Sequence, residues 1–438
     1  MSEIVIKRGL NIPISGAASG DVVDLPRPAT VAYSPTEFNG LVAKPAIREG
    51  DAVERGTVLF FHKHDARIVF RSPSAGRVSE IRRGARRVIT DFIVETAELD
   101  ATAEMPKFTL EQLEKLDADA ALEAAMGTGL FGAFKTRPLN KMPTGEEAPQ
   151  SIFIGGWETG PLQPDVDVLL SEDDQAALQA AITVFGRFAP KVHLGIRRGA
   201  KNPAFVGLKG VDIHEFTGPH PAGDPGVQVN HVDPPRGSMR VWTIRAWDAV
   251  LLGRALLTGE FEATRIYAAV GAGVAKPRFV RTLAGAPMAD IVGETNGGEH
   301  RWIRGSVLTG VAVDSARWAS FLARAIHVLP DEVPRRLFGW ALPEFFTWSV
   351  HRAFLSGFLP NLGTEGSDHT VDLRPGIWGG VRAMVPVDAY RRVIATPDIM
   401  PEFLFKSMAS GDIEESIQLG LLDLTDEEAA LCTYICPS

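Results

Sequence analysis

Two cysteines lie four residues apart near the end of the 438-residue chain, Cys432 and Cys436 in "LTDEEAALCTYICPS", with Pro437 next. Closely spaced thiolates bind soft metals, and C-x-x-C-x-x-C-x-x-x-C-P is a run with which bacterial-type ferredoxins hold iron-sulfur clusters. The closing C-x-x-x-C-P of that run is present. Counting back from Cys432 in steps of three, the other two ligand positions carry Ala429 and Asp426. The chain has no further cysteine, so it cannot cage a cluster with four of its own thiolates. A single disulfide, or two inert thiols on a helix, are the readings left open, and no metal is assigned to the pair.

The glycines of "GTGLFGAFKTRPLNKMP" raise a second possibility. Gly127, Gly129 and Gly132 spell G-x-G-x-x-G. A dinucleotide fingerprint follows a strand and opens a helix, so that the pyrophosphate meets the helix N-terminus. These glycines instead follow a helical pattern and lead into an extended, proline-containing stretch, so a dinucleotide role is not expected. Lys135, Arg137 and Lys141 leave only a weak anion site. A second G-x-G, at Gly271 and Gly273, is followed by Lys276 and Pro277 and opens no helix. The loop "TGPHPAGDPGVQVNHVDPP" holds His220 and His231 without a third ligand at zinc spacing, so both read as loop histidines.

The elements that position these residues follow from periodicity. Residues 31 to 96 alternate short β-type runs with glycine turns, a small barrel or sandwich. Its phrases Glu49-Gly50-Asp51 and Ser74-Ala75-Gly76 resemble the halves of a lipoyl- or biotinyl-carrier domain. The modified lysine of such carriers would fall at Asp65, with Lys63 two residues away, so the fold is expected as a structural module. Its hairpin "RVSEIRRGARR" is basic, suited to solvent, an acidic partner or phospholipid headgroups. The string from Leu110 to Met126 reads as one helix. Beyond Pro149 the pattern becomes a doubly wound α/β unit: strand "SIFIGG", a helix with Ser171 as N-cap, then strands "KVHLGIRR" and "VDIHEF". Short strands return over 264 to 313, and three short helices, with breaks at Gly411 and Leu422 to Leu424 and a Thr425 cap, close the chain.

Composition bounds the function. Hydrophobic content of 45% and charged content of 23% describe a folded protein of about three domains. A net charge of −9 argues against nucleic-acid binding. No export signal is visible at the N-terminus. No apolar run is long enough to span a bilayer, although Trp340, Phe345, Phe346, Trp348, Phe354 and Phe358 crowd one segment, a core or a docking face.

Several strings in order, "IKRGLNIPISG", "SPSAGRVSEIRRGARRV", "FKTRPLNKMP", "GPHPAGDPG" and "CTYICP", resemble the A subunits of the bacterial Na+-translocating NADH:quinone oxidoreductases nearly end to end. That family is similar to the C subunit of the Rnf complex and to the NADH-binding flavoprotein subunit of complex I. The resemblance implies an α/β and β multidomain chain. Its parts are a lipoyl/biotinyl-carrier-like β domain over 1–100 with an N-terminal extension, and a helix, degenerate glycine-rich loop and Rossmann-like α/β domain over 101–262. A small β-grasp-like (SLBB) domain over 263–320 and a C-terminal helical bundle over 321–438 complete it. It further implies a peripheral subunit on the cytoplasmic face of the bacterial inner membrane, without catalysis of its own, docking on a membrane subunit of a six-subunit sodium pump. Ubiquinone is its expected ligand; NADH, FAD, FMN and iron-sulfur centres belong to partner subunits. Gly129, Gly132, Lys135 and His220 are the degenerate-site candidates, and Cys432 and Cys436 are inherited positions of a lost cluster. Members of this family continue past the Cys-Pro. The alternatives are an Rnf-type flavin and iron-sulfur carrier, or a lipoyl-like carrier module.

Overall fold

The computed structural model describes residues 2–331 and 388–436; the aromatic segment containing Trp340 to Phe358 lies outside the described residues. Two short strands open the chain, β1 (Ser2–Val5) and β2 (Val22–Asp24). Neither pairs with its sequence neighbours. β1 lies parallel to residues 214–217, and β2 parallel to residues 279–281.

The next seven strands are β3 (Thr30–Tyr33), β4 (Ala43–Pro45), β5 (Ala52–Val53), β6 (Val58–His62), β7 (Asp65–Arg71), β8 (Gly76–Arg83) and β9 (Ile89–Thr96). They form two sheets, ordered β3-β9-β8-β5 and β4-β6-β7. Alternate residues face inward, so Tyr33, Phe60, Phe70 and Phe92 meet in the core, where Phe60 stacks on Phe70 and Phe92 at 4.6 and 4.8 Å. Lys63 stands exposed in the β6–β7 turn, and Asp65 is bridged to Arg67 at 2.7 Å.

The helix expected from Leu110 to Met126 is two helices, α1 (Leu110–Lys115) and α2 (Ala118–Gly127). Asp117 explains the break: its carboxylate accepts from the Ala120 N–H at 2.8 Å, starting a second helix where the first would continue. The α/β unit follows, with β10 (Lys135–Arg137), β11 (Ser151–Gly155), α3 (Val166–Leu169), α4 (Gln175–Phe188), β12 (Val192–Arg197), β13 (Asp212–Thr217), α5 (Pro225–Val232), β14 (Val241–Arg245) and α6 (Ala246–Thr258). Ser171 introduces a 3-10 turn, Glu172–Asp174, that leads into α4, and the Asp174 carboxylate accepts from its N–H at 2.8 Å. The sheet order is β1-β13-β12-β11-β14-β10, parallel except for β10. The chain winds outward from β11 through β12 and β13, then returns to place β14 on the other side of β11. Ligand crevices of open α/β sheets form at such a switch, beyond the strands' C-terminal ends. α4 and α6 cover one face so closely that a Cβ on Gly253 would lie 1.8 Å from the Ala177 carbonyl oxygen.

A second six-stranded sheet contains β15 (Thr264–Val270), β16 (Arg278–Leu283), β17 (His300–Arg304), β18 (Val311–Val313) and β19 (Ala325–Pro330), with α7 (Met288–Val292) beside it. Its order is β18-β17-β19-β15-β16-β2, so it draws one strand from the N-terminal extension and another from beyond residue 320. The closing helices are α8 (Pro401–Ser410), α9 (Ile413–Gln418) and α10 (Asp426–Ile435). Gly411 ends α8 in the left-handed region, and Thr425 with Glu428 forms a capping box on α10. Leu404, Leu431, Cys432 and Ile435 pack with Ile12, Ile14 and Leu329, tying the helices to the N-terminal segment and the second sheet. Among the described residues no helix is long and apolar enough to cross a membrane.

Candidate functional site

The switch between β11 and β14 opens onto a crevice of about 570 Å³, where every part of the fold contributes wall. The β domain supplies Thr36 and Glu37, β10 supplies Lys135 and Arg137, and the β11 and β14 ends supply Glu158 and Arg245. The second sheet adds Arg304 and Ser306, and the start of α10 adds Thr425 to Glu427. Ala133, Pro164, Ile244, Trp247, Val311 and Leu322 make the apolar part of the wall.

Most charges here are already paired. Arg245 bridges Glu158 at 3.1 Å, Arg304 bridges Glu37 at 3.2 Å, and Arg324 bridges Asp248 at 2.5 Å. Burial raises the Asp248 carboxyl above the usual range against the pull of Arg324, and burial likewise raises Glu37 against Arg304. Asp224 turns its carboxylate onto the N-terminus of α5, accepting from Gly226 N–H at 2.6 Å, so that helix end is capped by the protein itself. The lining carries five cations, Lys135, Arg137, Arg245, Arg304 and Arg324, against six carboxylates. A bisphosphate would therefore meet more like than opposite charge. Lys135 is exposed and makes no salt bridge among the described residues.

The glycine candidates do a different job. A Cβ on Gly132 would lie 2.7 Å from ring carbons of Phe38 and Phe70, and one on Gly129, whose φ is +84°, would lie 2.9 Å from Arg71 Cγ. Arg71 is pinned there by donating to the carbonyls of Gly127 and Gly56. Both glycines thus let the loop lie flush against the β domain. Lys135 enters the crevice wall and Arg137 is buried beside it, donating to the carbonyls of Asp423 and Leu424 at 2.8 and 3.2 Å.

His220 and His231 are not brought together as ligands. His220 is buried, with Nδ1 3.1 Å from Thr159 Oγ1 and Nε2 3.4 Å from Glu427 Oε2, while His231 Nε2 lies 3.1 Å from the Ala395 carbonyl. Burial raises Glu427, but hydrogen bonding and charge from His220, with Thr309 and Ser306 donating, outweigh it and hold the carboxyl below its usual range. Among the described residues no group of three His, Cys, Asp or Glu is arranged to hold a metal ion.

The cysteines are free thiols with structural surroundings. Cys432 is buried in the helical core, and burial, with Glu428 and Glu402 nearby, pushes its thiol up to about 12. Cys436 Sγ lies 2.7 Å from the Tyr390 hydroxyl. Of the two positions where the cluster run would need further cysteines, Asp426 accepts from Asn140 at 2.5 Å. The residues present do not fit a cluster.

Sequence reasoning missed Arg245, Trp247 and Asp248, although they sit in "IRAWDAV", directly at a strand-to-helix junction. That junction is informative only once the strand order marks β14 as the switch strand.

A second cavity of about 540 Å³ adjoins the crevice, sharing Glu158 and Gly160 and lined also by Asn11, Trp157, Arg197 and Arg198. Glu158 forms the partition, its Oε1 accepting from the N–H groups of Thr159 and Gly160 at 2.8 Å.

Three family models match consecutive parts of the chain. Residues 4–97 match the NqrA N-terminal barrel-sandwich hybrid domain, residues 116–261 the NqrA second alpha/beta domain, and residues 267–315 the NQRA C-terminal domain. Similar curated proteins are each described as the A subunit of a Na(+)-translocating NADH-quinone reductase. That of Pasteurella multocida is 35% identical over 99% of this chain and 95% of its own length, that of Neisseria meningitidis 33%, and that of Haemophilus influenzae 34%, both with the same coverage. Sharing about a third of its residues along nearly its whole length, and all three domains in order, the chain belongs to the family of A subunits of the Na(+)-translocating NADH-quinone reductases.

Proposed function

We propose that this chain is a peripheral subunit on the cytoplasmic face of a six-subunit sodium-pumping quinone reductase, where it docks on the membrane part of the complex and receives a quinone headgroup in the crevice between β11 and β14. Flavins, NADH and iron-sulfur centres belong, on this reading, to partner subunits, and the chain does no catalysis alone. The observation that carries the quinone assignment is the composition of the crevice wall. Its volume lies in the range of small-molecule sites, its charges nearly cancel, and its wall mixes apolar side chains and hydroxyls with Lys135, which makes no salt bridge among the described residues. A neutral ring with carbonyl acceptors suits such a wall better than a phosphate-bearing dinucleotide does. The relatives' names as quinone reductases support the same ligand class.

The test is equilibrium binding of a short-chain ubiquinone to the purified chain. Lys135→Gln should weaken binding about tenfold or more, the effect of losing one charged donor. Unchanged affinity in that variant would remove the crevice as the site. Recovery of membrane subunits with the tagged chain tests docking, and stoichiometric flavin or iron in the isolated chain would favour the Rnf-type carrier instead.

A further inference from the structure

The turn joining β8 to β9 departs in charge from the rest of the molecule. Between Arg77 and Val88 there are five arginines and one glutamate, in a chain whose net charge is −9. Two of the five are held by the protein: Arg77 donates to the Gly50 carbonyl at 2.8 Å, and Arg82 forms a paired contact with Glu80 and lies 5.3 Å over the Trp318 ring. Arg83, Arg86 and Arg87 are exposed and make no salt bridge among the described residues; Arg83 reaches only back to the Arg87 carbonyl of the same turn, at 3.3 Å.

The backbone fixes how these groups are presented. Gly84 N–H donates to the Val88 carbonyl at 2.8 Å, closing the turn, and Arg86 and Arg87 take left-handed φ values of 53° and 60°. Two successive non-glycine residues in that region carry a cost that glycines would avoid. Val88, at 54% exposure, follows Arg86 and Arg87 in the same turn, and Trp318 lies half-buried between Arg82 and Arg317.

We propose that this hairpin tip is a contact for the anionic headgroups of a phospholipid bilayer. An acidic protein surface would be best met by guanidinium groups already held in position, as Arg317 is against Asp91 at 2.9 Å. The tip instead offers three exposed arginines with no acidic partner among the described residues, next to an exposed valine and one residue on from the Arg82 that covers Trp318, the combination that suits a fluid negative surface with an apolar layer beneath. One such contact is weak by itself, and a stable attachment takes two signals. The inference rests on the reading that the chain docks on a membrane complex: the hairpin supplies the lipid contact beside the protein one, while the acidic remainder is repelled from the same surface.

The experiment is flotation of the full chain with phosphatidylcholine vesicles, with and without phosphatidylglycerol, beside recovery of partner subunits from membranes. Wild-type protein should bind only the anionic vesicles and lose binding as salt rises. Arg83→Gln, Arg86→Gln and Arg87→Gln together should lower partitioning about a hundredfold at low salt, with an unchanged thermal melt and with partner subunits still recovered. Val88→Asp should also weaken partitioning without altering the melt. Equal partitioning of wild type and triple variant would overturn the proposal. Absence of wild-type binding to anionic vesicles, with partner recovery lost only in the triple variant, would overturn it in favour of an acidic protein contact. Failure to recover partners with wild-type protein would instead count against the docking reading itself.

Discussion

Alanine at each glycine of the G-x-G-x-x-G run separates packing from ligand binding within six residues. A Gly132 Cβ would stand 2.7 Å from two carbons of Phe38 and one of Phe70, where 3.4 to 4 Å is ordinary contact. Those rings cannot turn aside freely, since their centroids are 4.9 Å apart and Phe70 is stacked on Phe60. Gly132→Ala should therefore cost about 2–3 kcal/mol, the upper part of the overpacking range. Gly129→Ala adds a left-handed φ to a contact with the pinned Arg71 and should cost about 1–3 kcal/mol. At Gly127, the last residue of α2, nothing lies within 4 Å of a new Cβ, so alanine there should fall within about 0.5 kcal/mol of wild type or stabilise slightly. The assay is urea unfolding followed by far-ultraviolet dichroism, with hydrogen exchange localising the change to residues 30–96 and 118–137. A Gly132→Ala protein that melts like wild type while losing a bound nucleotide would refute the packing account, as would three equal effects.

Two further outcomes follow from buried groups. Asp248→Ala leaves the Arg324 guanidinium buried without its 2.5 Å partner and should cost about 3–5 kcal/mol, whereas Asp248→Leu with Arg324→Met should recover most of that loss in a double-mutant cycle on the unfolding midpoint. Cys432, with its thiol raised to about 12, should resist iodoacetamide at pH 8 in the native protein and react once urea unfolds the helices; rapid native labelling at Cys432, read by peptide mass, would contradict its place in the core.

The elements most legible in the sequence were those whose signals are local. Gly411 and Thr425 announce helix ends within a few residues of themselves, and the three closing helices fall where those residues put them. The continuous helix expected from Leu110 failed at Asp117, where one capping carboxylate outweighed a run otherwise rich in good helix formers. What could not be read was pairing at long range. Nothing in "SEIV" says that its partner is "HEFT", and nothing at Gly132 says that Phe38 and Phe70 need the space. The crevice is the extreme case, because its walls come from segments spread between Thr36 and Glu427. His220 stands out in the sequence for its motif, but its contacts are with Thr159 and Glu427, one on either side of it in the sequence and both distant.

The route of the first thirty-three residues bears on how the protein is made. β1 completes the edge of one sheet, β2 the edge of another, and β3 enters the β domain, so a single short thread stitches three units together. On the ribosome that thread emerges well before its partners, since His214, the partner of Ser2, is 212 residues further along. At ordinary elongation rates the wait is on the order of ten to forty seconds. Through that interval two strand-forming segments have no ladder to join, and the sheets they will border are finished only by reaching back to segments of the nascent chain made long before.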